Sequence, residues 1–454
     1  MSRSLVLGLV CGWVLVGCVG DSPGTPPTTD AGVIADAGND VTPDAEAKPR
    51  VVGIYGGGSL PLSGLLKSDS RSCAIVAPRG QVYCWGGNSH GELGTGDAID
   101  ATVPKKINVD ADGKPFEDVV ELALGAWHSC ARKANGHVWC WGQAQTGAIG
   151  DGVVQSSPTP LPDQRVPREI GDGTLVASSI AVGSGHTCIV GATSHQVTCF
   201  GNNDERKLGA VGGTPCYWVL NPSNGTSVCM GTYQKVVSPD VANVTQVVAG
   251  LSATCALTAA QTVYCWGEPS YSGGTVTGYR ETPYAVPAAV NGLTPIGSIA
   301  SLALSIGTLC ALGTDGIARC TYGLKGEGGS VTNKGILAPI DEPIKFVSIA
   351  RGALFTCGIP TGGVGNVRCW GENDAGQLGY GVVDNVPHPT NPGYVGTDPN
   401  KRIGGITQLG LGFRHGCALK VDGTVYCWGS NDQGQLGNGT TVDSSVAIEV
   451  SVLP

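Results

Sequence analysis

Charge is scarce in this sequence: Asp, Glu, Lys and Arg make up 14% of its 454 residues, and the basic share is the smaller, 27 Lys and Arg against 36 Asp and Glu. A chain so thinly charged does not clothe long solvated helices. With a formal net charge of -9 it also lacks the basic footprint that displaces counterions from DNA or RNA, so no nucleic-acid partner is expected. Long apolar runs are missing as well: the apolar stretch 5–16 is too short to span a bilayer as a mature helix. No P-loop, Ser-His-Asp motif or paired-carboxylate context occurs, so no cofactor, metal or catalytic residue is expected and the chain is not read as an enzyme. What is abundant is glycine, 72 residues, which signals tight turns, and cysteine, 18 residues, whose number points to oxidation in an exported protein.

The N-terminus supports export. Arg3 supplies a positive start, residues 5–16 an apolar core, and Leu15-Val16-Gly17-Cys18 resembles the lipobox of bacterial lipoproteins. That resemblance implies a signal peptide over 1–17 and a lipid on Cys18, with Val19 favouring the outer membrane. Residues 18–50 are rich in Asp, Ala, Pro and Thr and, after Cys18, hold no aromatic residue. Such a segment buries too little apolar surface to offset its ordering entropy, and is expected to be a disordered tether.

From residue 70 onward one sentence recurs seven times. The clearest copy is residues 412–439, with Cys417-Ala-Leu-Lys-Val-Asp-Gly-Thr-Val-Tyr-Cys427 at its centre. Alternating apolar and polar residues flank a Gly-bearing turn, the pattern of a β-hairpin. A three-residue loop, Val421 to Gly423, places Gly at the left-handed position and sets Cys417 opposite Cys427 at a non-hydrogen-bonded site, about 4.5 Å apart at Cα. The same count pairs Cys130 with Cys140 and Cys310 with Cys320. A loop one residue longer pairs Cys73 with Cys84 and Cys188 with Cys199; two residues longer pairs Cys357 with Cys369. Cys255 and Cys265 keep the spacing, but Gln261 stands where Gly is wanted, so that turn is expected to depart from the others. Cys216 and Cys229 are left to pair inside an insertion at 210–238. Zinc sites want short Cys-x-x-Cys elbows converging on one point, which these spacings do not supply. Eight disulfides therefore account for residues 51–454.

The recurring Gly-x-x-His-x-Cys-Ala-Leu, Asp-Gly-x-Val-Tyr-Cys-Trp-Gly and Asn-x-x-Gly-Gln-Leu-Gly resemble the regulator of chromosome condensation repeat family, over about residues 53–454. The resemblance implies an all-β, seven-bladed β-propeller, and a monomer is expected. The family founder's nucleotide exchange on a nuclear GTPase and its chromatin binding are not expected here. A secreted β-lactamase-inhibitor propeller is the nearer analogue. The strand-like 446–453 is expected to join the first blade and close the ring, so that deleting 443–454 would lower thermal stability severely.

Several residues invite functional readings. His128, His186 and His415 share one register, which disperses them among blades and favours structural roles. Trp85, Trp141, Trp266, Trp370 and Trp428 would stack on sugars if exposed, or pack between blades, the expected outcome. Loops at Asn373 and Asn431 lack a carboxylate ladder for calcium and read as Asx turns. Tyr217, Trp218 and Tyr233 of the insertion are candidate contact anchors, or else packed on the third blade. The function expected is that of a lipid-anchored scaffold at the cell envelope holding a protein or a glycan. A polysaccharide hydrolase or lyase, or an inhibitor of an extracellular enzyme, are the alternatives.

Overall fold

The structure is a computed structural model. It describes residues 48–454 apart from 59–68, 158, 160, 211, 217–226, 237–240, 268–279, 286–297, 306–308, 321–337, 340–343, 363–365, 385–392, 399–400, 452 and 454. The expected signal peptide, Cys18 and the expected tether up to residue 47 lie outside the described residues, as do Tyr217 and Trp218; Arg50, placed at the tether's end by the sequence, instead opens the first strand, where it pairs with Ala77.

Among the described residues the chain folds into seven antiparallel sheets arranged as propeller blades, and a separate two-stranded ribbon pairs Gly396–Asp398 with Lys401–Arg402. Six have four strands in sequence order; the third gains a fifth from the insertion, in which Thr214–Cys216 pairs with Ser227–Lys235. The innermost strands are Arg50–Gly57, Val119–Leu124, Ala177–Val182, Val244–Ala249, Ile299–Leu304, Phe346–Arg351 and Ile406–Leu411. Each carries a register shift against its neighbour near its start or end, as between Val119 and Glu121 or Ile406 and Gln408. An extra residue there increases the local twist that a blade needs.

The second and third strands are the seven hairpins read from the sequence. Cys417 faces Cys427 and Cys130 faces Cys140, and the seven hairpin disulfides have Cα separations of 4.0–4.1 Å. Cys216–Cys229 is the eighth, at 5.8 Å. Except for partly buried Cys320, all these cysteines are wholly buried. Each cross-link closes a short loop and stabilises by about 2–3 kcal/mol on the loop-entropy account.

The turn at Gln261 does not depart from the others. Gln261 takes φ +64 and donates its N–H to Thr258 O, as Gly423 at φ +91 donates to Lys420 O. Its side chain gives the position a use that glycine lacks: Oε1 accepts the N–H of Ile299 at 2.6 Å, on the next blade.

Ring closure also differs from expectation. The last strand, Ser444–Glu449, pairs with Val425–Gly429 of its own blade, and the first blade supplies its own inner strand from Arg50. No strand is exchanged. Side chains close the ring instead: Ile54 N donates to Gln408 Oε1 at 3.2 Å, and Ser70 N to Gln433 Oε1 at 2.9 Å. Val450 and Leu436 of the last blade share one core with Ile54, Trp85 and Val51 of the first.

Candidate functional site

One face of the ring carries the long loops between third and fourth strands. Four of these loops are locked by the same asparagine. Asn88, Asn203, Asn373 and Asn431 each accept, through Oδ1, the N–H of the leucine five residues on, at 2.8–3.1 Å. Their Nδ2 groups donate forward to carbonyls such as Asp97 and Ile99, or Thr440 and Val442. At Asn373 and Asn431 the amide is thus spent on closing the loop.

The locked loop holds a backbone carbonyl toward the next blade, where two side chains meet it. Gln435 O accepts from Trp85 Nε1 and Ser72 Oγ, both at 3.0 Å; Lys207 O accepts from Trp266 Nε1 at 2.9 Å and Thr254 Oγ1 at 2.8 Å. Glu92 O receives Trp141 Nε1 and Ser129 Oγ, and Gln377 O receives Trp428 Nε1. All five tryptophans of this register are fully buried, so they are seam residues and not a sugar-stacking ring. A glycine of the loop makes room for the indole: at Gly437 (φ +68) a Cβ would lie 2.7 Å from Trp85 Nε1.

The histidines complete this latch. His128 Nε2 lies 2.7 Å from Thr187 Oγ1, His186 Nε2 3.0 Å from Thr254 Oγ1, and His415 Nε2 2.9 Å from Ser72 Oγ. Each hydroxyl gives its hydrogen to a carbonyl, so its oxygen accepts from Nε2–H, which assigns the tautomer. Nδ1 is then a bare acceptor, buried and without a partner in all three. Protonating it would bury a cation with nowhere to donate. Burial accordingly holds His128 down to about 3, with Arg71 adding to the push, and His415 to about 4. His186 is likewise held well below the usual value, by burial and then by Lys207. In the first blade Arg71 stands in the histidine's place, its Nε donating to Ser129 Oγ at 3.0 Å.

The channel on the ring axis offers little chemistry. Its mouth on the loop face is a cavity of about 200 Å³ lined mainly by glycine and aliphatic residues of all seven blades, with Ser184, Ser305 and Phe413, and with Arg351 the ionisable residue among the described ones. Farther along, Glu121 lines the channel and is paired with Arg132 at 2.7 Å.

Tyr233 of the insertion is half-buried. Its ring meets Phe200 edge-on at 5.1 Å between centroids and its hydroxyl donates to Gly150 O at 2.8 Å; burial raises it to about 12. The fold thus holds it against the second and third blades.

A group that no motif marks in the sequence also lies on this face. Asp69, His90 and Glu92 bring ligand-bearing atoms within 4.8 Å of one another beside the buried Arg71. The available signal was a departure from register: Glu92 stands where the sixth and seventh blades carry Gln377 and Gln435.

Family models of the Regulator of chromosome condensation (RCC1) repeat match at residues 79–132, 135–190 and 422–453, and those of a second repeat family of that name at 119–147, 244–272 and 406–435. The chain is a propeller of RCC1 repeats. It is 28% identical over 372 residues to human E3 ubiquitin-protein ligase HERC2, covering 80% of this chain but 7% of that protein. It is 28% identical to the Arabidopsis thaliana ultraviolet-B receptor UVR8, covering 84% of this chain and 80% of the receptor. Among solved structures, yeast RCC1 (Prp20) bound to Kap60 superposes with a TM-score of 0.63 at 18% identity, covering 82% and 84% of the two chains. At that identity the likeness concerns the fold of this RCC1-repeat propeller.

Proposed function

We propose that this RCC1-repeat propeller is an exported binding scaffold, tethered to the outer membrane through lipid on Cys18, that holds an envelope protein on its loop face. The observation that carries the binding reading is the commitment of the recurring polar and aromatic side chains to locks and latches between blades. They tie the blades into one ring and hold the loops of one face in place as a platform for binding. The channel mouth has no carboxylate among its described lining residues, which removes the motive for a polysaccharide-cleaving site there. Relatives support a protein as ligand: yeast RCC1 is solved bound to Kap60, and the work on Prp20p concerns its binding to Gsp1p and histones.

Two measurements test this. Cells expressing the full chain and fed a tagged fatty acid should label it, and Cys18→Ser should abolish the label; labelling of the variant would refute the anchor. Affinity capture from envelope extracts should recover one protein in stoichiometric amount, and Tyr217→Ala/Trp218→Ala should weaken that binding without altering folding. Recovery of glycan instead would overturn the choice of a protein ligand.

A further inference from the structure

The Asp69–His90–Glu92 group is the one cluster of metal-ligating side chains among the described residues. Asp69 leads into the second strand of the first blade; His90 and Glu92 stand at the tip of that blade's locked loop. Gly91 between them has φ +79 and packs on Arg165 of the second blade, where a Cβ would meet Arg165 Cα at 2.8 Å. That approach brings Asp163 Oδ2 to 3.1 Å from His90 Nδ1. The imidazole is thereby oriented by a carboxylate on one nitrogen, leaving Nε2 for a ligand bond, the arrangement that fixes histidine at metal centres.

Comparison between blades shows what is unusual about Glu92. Gln377 accepts Ala375 N through Oε1 and donates Nε2 to Asp374; Gln435 accepts Gln433 N and donates to Asp432, all at 2.8–3.0 Å. Glu92 keeps the first bond, accepting His90 N through Oε2 at 2.8 Å. Ser89 replaces the aspartate, and Oε1 stands buried with no hydrogen-bond partner. The residue is 0% exposed. Arg71 does not meet this oxygen, for its donors go to Ser129 Oγ and to the carbonyls of Asp69, Ala126 and His128. Burial, and then Asp69 beside it, push the Glu92 carboxyl well above the usual range. Asp69 is held in place by the Ser89 hydroxyl and by Gln433 Nε2 at 3.2 Å from the seventh blade.

We propose that Asp69, His90 and Glu92 bind one divalent transition-metal ion of the zinc or manganese kind. Ligand atoms within 4.8 Å of one another can close on an ion with bonds of about 2.0–2.2 Å. One imidazole with two carboxylates suits such ions, whereas calcium prefers a shell of oxygens alone. The ion supplies the direct partner that the bare carboxylate oxygen lacks. It ties the first blade to the second through Asp163 and to the seventh through Gln433.

The test uses the tag-free, oxidised chain stripped with chelator and titrated calorimetrically with zinc chloride and with manganese chloride. One equivalent should bind saturably, and a hundredfold excess over Kd should raise the melting temperature by about 3 °C. Glu92→Gln installs the residue two other blades carry, so it should fold normally and bind at least tenfold more weakly. Asp163→Asn should weaken binding about 10–100-fold. Failure of both ions to bind saturably, calcium binding in preference, or wild-type affinity in a folded Glu92→Gln variant would each overturn the assignment.

Discussion

Mild acid should loosen this ring through three buried imidazoles. In the folded chain His128, His186 and His415 are neutral Nε2–H tautomers with Nδ1 sealed in the seams. In the unfolded chain each titrates near its ordinary value of about 6.5. Below that pH the unfolded chain binds protons that the folded chain refuses, so stability falls with pH. The loss continues until about pH 4 for His415 and about pH 3 for His128, where the folded state protonates too. At about 1.36 kcal/mol per pH unit, His128 and His415 each remove about 2 kcal/mol between pH 6.5 and 5, about 4 kcal/mol together, and His186 adds to the loss in the same direction. Glu92 works in the opposite sense, because its raised carboxyl keeps in the folded chain a proton that the unfolded chain releases. The diagnostic quantity is therefore a difference between proteins. Urea midpoints followed by tryptophan fluorescence at pH 7.5 and 5.0 should fall much more for the wild type than for the His128→Gln/His186→Gln/His415→Gln variant. Glutamine retains a donor for the facing hydroxyl but has no titration. Equal falls in the two proteins would refute the reasoning.

Other perturbations probe the same seams. Gly437→Ala forces an alanine to φ +68 and against the Trp85 indole, and should cost about 2–3 kcal/mol in chemical denaturation. Asn431→Ala strands the buried N–H of Leu436 and releases the carbonyls of Thr440 and Val442; a loss of about 2–4 kcal/mol and faster proteolysis between 431 and 442 are expected. Cys417→Ala/Cys427→Ala should lower stability by about 2–3 kcal/mol, read as a shifted denaturation midpoint. Deleting 443–454 strips the outer strand of the seventh blade with buried Ala447 and Val450, so calorimetry should show a severe drop in melting temperature.

How far the fold could be read ahead follows from sequence distance. The hairpin disulfides join residues 10–12 apart, so a turn type and an alternation suffice to place them. The asparagine lock is local too, reaching five to eleven residues forward. Gln261 departs from the expectation of glycine because the position asks for more than conformational freedom: the glutamine side chain gives it a hydrogen bond from Ile299 across a blade boundary. Closure misled for a related reason: Arg50–Gly57 precedes the first recognisable hairpin and carries no motif of its own, so only its pairing with Arg71–Ala77 reveals it as a strand of that blade.

By itself, then, the sequence determined the unit: a stapled hairpin, seven times over, with an asparagine-locked loop after four of the copies, because those contacts lie within a few residues and repeat. The tertiary structure decided everything that crosses between units. Trp85 finds Gln435 O, 350 positions away, and Gln433 finds Asp69, 364 away. Only a closed ring brings such residues together, since neither spacing nor periodicity encodes which blade faces which. The same ring sets Asp163 beside His90 and leaves one oxygen of Glu92 bare where its sister blades carry an amide.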